Sequence, residues 1–301
     1  MKTVKRIPLG IINIAATPHS KGGSTYVDLL KEAFQLNLPV KIRGDEYAML
    51  ASCVALDESG LRDIMTGEIH KFTDIKGDWE NLQLRKAATE TDLAKVQIPE
   101  HLKPNREVFR YFLFPREHRF VFQLHGAKRS ISHVGVSRLL ETLFSHSEIK
   151  KKFPLVTVVV EQEPETLSRI LALPRLDLFS ICLKRPNPDE ADPEEIRFVD
   201  NLLSEQEAAS MQLTLNHAPG VSLKPDENNQ RLARVAATSY GSVIGKGRDE
   251  HDRPIEINTS EHPIKEPFDY NNKTRQGFVD QMFSAARRLV EKVTRRREHR
   301  Q

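Results

Sequence analysis

The sequence predicts an α+β fold: two α+β modules with mixed or antiparallel sheets and a long basic C-terminal helix. Three observations predict it. Short apolar runs separated by turn residues recur in pairs, as hairpins do. Stretches with apolar residues at helical spacing fall between these pairs and not in strict strand–helix alternation. The final stretch, from about residue 272 to 297, is helical in pattern and crowded with arginine.

In chain order, residues 9–16 form an apolar run that ends at Thr17-Pro18 and reads as a strand. Lys21-Gly22-Gly23 punctuates a loop, and Ser24 is placed to cap a helix over 25–36 with Val27, Leu30, Ala33 and Phe34 on one face. Residues 47–56 and 61–72 read as a hairpin across the turn cluster Asp57-Glu58-Ser59-Gly60. Residues 76–105 are polar with little periodicity and read as an excursion. A second hairpin spans 108–114 and 119–124 across Pro115-Arg116-Glu117-His118. A helix over 132–147 follows, with Val136, Leu139, Leu140 and Leu143 on its buried face.

Residues 155–161 are the clearest strand, with Val156, Val158, Val159 and Val160 in a continuous apolar run that predicts a central position buried on both sides. A short helix over 164–171 leads to a strand over 176–183. Pro186-Asn187-Pro188-Asp189 is a loop, and Pro193 opens a helix whose buried face carries Ile196, Val199, Leu202 and Leu203. Residues 226–240 read as helical, and 242–248 with 254–258 as a polar hairpin. The lysine-rich segment 148–152 is the expected join between modules 1–150 and 151–301; the alternative is one sheet continuing across it.

Composition narrows the class. The chain has 301 residues, 39% hydrophobic and 29% charged, as a folded, well-solvated protein has. No apolar run approaches the roughly 20 residues of a spanning helix, and residues 1–10 lack the pattern of a secretory signal. Two cysteines, Cys53 and Cys182, read as buried small hydrophobes in a reducing cytoplasm. The net charge of +3 writes no bulk attraction to nucleic acid, so any such contact must come from local clusters.

Four clusters merit weighing. The loop Lys21, Gly22, Gly23 and Ser24 offers backbone amides and a lysine to an anion, but lysine precedes the glycines, so the phosphate-loop order is absent. The C-terminal helix concentrates Arg287, Arg288, Lys292, Arg295, Arg296 and Arg297; favourable interaction with the helix dipole is a sufficient structural reading, and a phosphate-contacting surface is the functional one. Lys128 and Arg129 precede the helix at 132–147, and Lys150, Lys151 and Lys152 follow it; a solvated face is the plain alternative. Glu161, Asp177 and Lys184 lie at strand ends, where a magnesium-dependent nuclease holds such residues, but Cys182-Leu183-Lys184 lacks the expected carboxylate. Histidines have no metal-ligand spacing, and no metal or cofactor is expected.

The run Ile64-Met65-Thr66-Gly67-Glu68-Ile69-His70-Lys71-Phe72, followed by Ile75 and Trp79, resembles an uncharacterised bacterial family, a domain of unknown function associated with phage defence. In architecture the polar hairpin at 242–258 and the closing basic helix at 278–297 are also similar to the phage-lambda exclusion protein RexA and the cytosolic component of the Kiwa defence system. Those resemblances imply antiviral defence, sequence-nonspecific DNA binding, dimerisation and, in some systems, a membrane partner.

The leading expectation is therefore a cytoplasmic, non-enzymatic antiphage component that senses or holds DNA or RNA and signals to a partner protein from the same locus. The second is the nuclease built on Glu161, Asp177 and Lys184. The third is an interaction module without nucleic-acid contact, a homodimer through Phe278, Met282, Ala285 and Leu289; the same stripe is more simply core packing.

Overall fold

The computed structural model describes residues 4–17, 22–56, 64–75, 79–96, 98–186, 194–274 and 276–298, with backbone only at 4, 239 and 296–298. The turn read at 57–60, most of the loop read at 186–189 and the helix start read at Pro193 lie outside the described residues. The first half runs β1 (Val4–Thr17), α1 (Gly23–Gln35), β2 (Val40–Arg43), β3 (Glu46–Ala55), β4 (Met65–Thr73), β5 (Glu80–Asn81), β6 (Lys86–Ala87), α2 (Glu90–Leu93), β7 (Glu107–Phe114), β8 (Arg119–Gln123), α3 (His133–Phe144) and α4 (Ser147–Lys150). The second runs β9 (Leu155–Val160), α5 (Glu165–Leu171), β10 (Arg175–Lys184), α6 (Glu194–Ser204), β11 (Ser210–Asn216), α7 (Glu227–Val235), a π-helical turn at Ala236–Tyr240, β12 (Gly241–Arg248), β13 (Pro254–Asn258), β14 (Lys265–Asn271) and α8 (Phe278–Glu298). The fold is α+β, with strands paired antiparallel throughout.

The larger sheet has the order β14-β1-β8-β7-β4-β3-β2, with β9 also paired to β1. The long β1 serves three partners: Val4 to Gly10 face β14, Leu9 to Asn13 face β8, and Ile12 to Thr17 face β9. The sheet thus continues across residue 150. Strand alternation sends Phe109, Tyr111, Phe120 and Phe122 to one face, where α1 and α3 cover them. It sends Phe112, Phe114 and Val121 to the other, under Met282, Phe283, Ala286 and Leu289 of α8. The stripe read as a possible dimer face is therefore core: Met282, Ala285 and Leu289 are buried within their own chain.

The smaller sheet has the order β11-β10-β12-β13. Phe179, Ile181 and Leu183 of β10 point to a core shared with Ile170 of α5, Val199 of α6 and Leu232 of α7. The intervening Ser180, Cys182 and Lys184 look the other way, beside Thr214 and Gln212 of β11 and Ser242 of β12.

Several expectations need correction. Ser24 does not cap α1; Gly22, at φ 55, takes the cap position without a side-chain bond, and the helix begins at Gly23. Ser132 does cap α3, accepting from the Gly135 amide at 3.0 Å. The valine run of β9 is not central: β1 is its sole partner strand among the described residues, and α3 packing explains its apolar character. Residues 265–271 form β14, so the last helix starts at Phe278 and not near 272. β11, for which the sequence analysis has no strand, exposes its polar face and only half-buries its apolar one.

Candidate functional site

The outer face of α8 follows from its inner one. With Met282, Phe283, Ala286, Leu289, Val290 and Val293 turned to the sheet, the helical period leaves Arg287, Arg288, Lys292 and Arg295 exposed. Two of these carry acid partners: Arg287 Nε lies 3.2 Å from Glu291, and Lys292 Nζ lies 2.6 Å from Glu266 on β14. Arg288 and Arg295 have no ion pair among the described residues. The side chains of Arg296 and Arg297 lie outside the described residues.

Lys128 and Arg129 sit in the turn between β8 and α3, and an acid fixes that turn from below. The carboxylate of Glu107 accepts backbone N–H bonds from Ala127 at 2.7 Å and from Lys128 and Arg129 at 3.0 Å each. Burial alone would raise the Glu107 pKa; the three amides outweigh it and hold the carboxyl below its usual range. The buried Lys71 donates to the Ser130 carbonyl at 2.9 Å and pairs with Glu46 at 2.7 Å, closing the same turn. Lys128 is exposed, and Arg129 leans on the Thr73 hydroxyl at 3.3 Å.

The sequence clusters do not converge. Arg129 touches β4, four strands from the β14 residue that holds Lys292, about 19 Å at ordinary strand spacing. Gly23 packs by Pro115 and Arg116, at the end of β7 opposite Glu107. Lys21 lies outside the described residues, and Ser24 is exposed.

The nuclease set is also dispersed. Glu161 is buried against Arg119, 2.7 Å from its Nε. Asp177 pairs with Arg175 at 2.7 Å. Lys184 stands at the far end of β10, about 23 Å along the strand from Asp177, and donates to the Val158 carbonyl at 3.1 Å. Among the described residues no group of three or more His, Cys, Asp or Glu side chains is placed to hold a metal ion.

A groove of about 980 Å³ lies between the two sheets, with α3 and β9 on one side and the polar face of β10 and β12 on the other. Its polar lining includes three cations, Arg138, Lys184 and Lys265, against two acids, Glu141 and Glu261, with Ser242 among them. Two lining residues have roles that the sequence does not show. His133, buried at the start of α3, donates from Nε2 to the Ile264 carbonyl at 3.2 Å and meets the Phe122 ring edge-on. Burial lowers its pKa to about 4, the Ile264 bond opposing that shift and Lys265 adding to it. Gly10 makes this placement possible, since a Cβ there would stand 2.7 Å from His133 Nε2. Gln162, 3% exposed, donates to the Gly241 carbonyl at 2.6 Å and so ties the end of β9 to β12. Neither role is visible without the cross-strand register.

Among the described residues no helix is long and apolar enough to cross a membrane. No curated protein matches the chain significantly. A family described as a domain of unknown function, DUF4747, matches residues 5–290, spanning the larger sheet, the groove and most of α8, and the chain belongs to that family.

Proposed function

We propose that this protein is a non-enzymatic, sequence-nonspecific nucleic-acid-binding component of antiviral defence, with the outer face of α8 as its principal contact. The observation that carries this reading is the division of α8. Its apolar stripe is consumed by the core, so its cations are free to meet a phosphate backbone. The two acid partners do not cancel them. Glu266 and Glu291 set against Arg287, Arg288, Lys292 and Arg295 leave positive charge in excess, and exposed pairs of this kind are worth only about 0–1 kcal/mol. Such cations position a duplex or strand without reading its bases. The defence setting and a partner protein from the same locus come from the resemblance to phage-exclusion proteins.

The test is a titration of labelled DNA and RNA of unrelated sequences at several salt concentrations. Affinity is expected to fall steeply with salt, and alike for all sequences. Replacing Arg287, Arg288, Lys292 and Arg295 by alanine is expected to weaken binding uniformly. The salt slope should also flatten, by about 0.9 for each phosphate that the variant no longer neutralises. Binding untouched by that variant removes α8 from the proposal.

A further inference from the structure

Tyr47 of β3 pairs with Phe72 of β4, and Met49 with His70, so these four side chains share one face of the larger sheet. Ala48, Leu50 and Ile69 take the opposite face and join the core with α1 and α3. Register across β4 and β7 puts Phe112, which lies under α8, on the same face as His70. Yet the apolar cluster beneath α8 contains no residue of β3 or β4. Tyr47, Met49, His70 and Phe72 instead line a recess of about 620 Å³, within the usual size of a small-molecule site. Glu100, Lys103 and Arg106 line it as well. That stretch is anchored to the end of β4: Lys103 pairs with Asp74, the Thr73 amide donates to the Pro104 carbonyl at 3.0 Å, and Asn105 donates to the Thr73 hydroxyl at 3.2 Å.

The lining combines flat rings with a cation. The Tyr47 and Phe72 rings are near-parallel, 10° apart with centroids at 6.4 Å. Arg106 reaches both ring nitrogens of His70, Nε to Nδ1 at 3.4 Å and Nη2 to Nε2 at 3.0 Å, and has no carboxylate partner among the described residues. Glu68, 3.2 Å from the same His70 Nε2, is itself paired with Arg110 at 3.1 Å. Lys103 and Asp74 cancel, which leaves Arg106 and the exposed Glu100 as the unspent charges of the lining. Aromatic rings stack any nucleobase, and a guanidinium meets a phosphate. One free cation beside one acid suits a single phosphate and not a polyphosphate. A duplex keeps its bases stacked and paired, so only an unpaired base can enter. We propose that this recess binds a nucleobase carrying one phosphate group, with the base against Tyr47 and the phosphate on Arg106. Its source is either a free nucleoside monophosphate or an unpaired residue of a single strand. The inference rests on the recess alone and is independent of α8.

NMR of the full chain with labelled methionine methyl groups tests it. Met49 lines the recess, while Met65 and Met282 are buried in the cores and report on folding. Met49→Leu assigns the signal. AMP and single-stranded oligo(dA) are the probes, and one or both are expected to shift the Met49 signal to saturation while leaving Met65 and Met282 in place. Saturation by AMP at the lower concentration names a free nucleotide as the source; saturation by the oligonucleotide at the lower concentration names a strand. Tyr47→Ala is expected to weaken binding about ten-fold, and Tyr47→Phe to keep it. Arg106→Gln is expected to weaken AMP binding several-fold and to leave adenosine binding unchanged. A Met49 signal that neither probe moves at millimolar concentration overturns the proposal. So does a shift that persists undiminished in Tyr47→Ala, and so does one that inorganic phosphate or a duplex reproduces.

Discussion

Arg119 of β8 and Glu161, just past β9, form an ion pair at 2.7 Å with each side chain 2% exposed. The same guanidinium donates to the Asn13 side chain on β1 and to the Glu117 carbonyl at 2.8 Å. One cation therefore ties three strands. Breaking a buried pair leaves an uncompensated charge, so Glu161→Ala is expected to cost about 3–5 kcal/mol in urea denaturation. A Glu161→Ala protein as stable as wild type would make that residue a functional candidate again.

The Glu107 carboxylate predicts a sensitivity to acid. Its folded pKa lies below the unfolded value, so its contribution is fully present above the unfolded pKa and is lost as pH falls through the folded one. Glu107→Gln is expected to lower the unfolding midpoint at neutral pH and to shrink that difference toward low pH. Hydrogen exchange at the Ala127, Lys128 and Arg129 amides should rise in the same variant. A flat pH dependence of the difference would show that the amides do not depend on the charge.

His133 predicts a loss over a higher window. Its folded pKa, about 4, lies below the ordinary histidine value near 6.5. The unfolded chain then binds the extra proton between these values, so stability falls as pH drops from about 6.5 toward 4, by up to about 1.4 kcal/mol per pH unit. Urea midpoints measured from pH 7 to 4 should show this slope, and His133→Gln should reduce it.

The acids beside α8 predict a gain. Glu266→Gln with Glu291→Gln releases Lys292 and Arg287 from their partners. Nucleic-acid affinity is expected to rise about two- to five-fold at low salt, as suits exposed pairs worth under about 1 kcal/mol. Unchanged affinity would mean that these two cations lie outside the binding surface.

Local signals made much of this fold legible. The paired runs either side of Pro115–His118 became β7 and β8, and the leucine spacing from Val136 to Leu143 became α3. What escaped depends on long-range register. β14 gives no strand signal in the sequence because Pro267 interrupts it and its burial comes from β1, some 260 residues earlier in the chain. The valines of β9 suggested a central strand, since sequence shows how apolar a run is but not whether a helix or a strand does the covering. Arginine density on α8 was visible at once; that its apolar side was already spoken for, and that Glu266 stood beside Lys292, was not. That Glu161 is sealed against Arg119 was not legible either, because composition cannot distinguish a carboxylate in a cleft from one in a buried pair.

The pairing of Val4 with Asn271 has a bearing on biosynthesis. A ribosome delivers β1 first, yet one flank of that strand stays open until β9 and then β14 emerge. The nascent chain must keep an adhesive strand out of wrong company for most of its translation, and a prematurely terminated product would carry it bare. Timely completion of the whole polypeptide, or a chaperone holding its leading segment, becomes a condition for soluble yield.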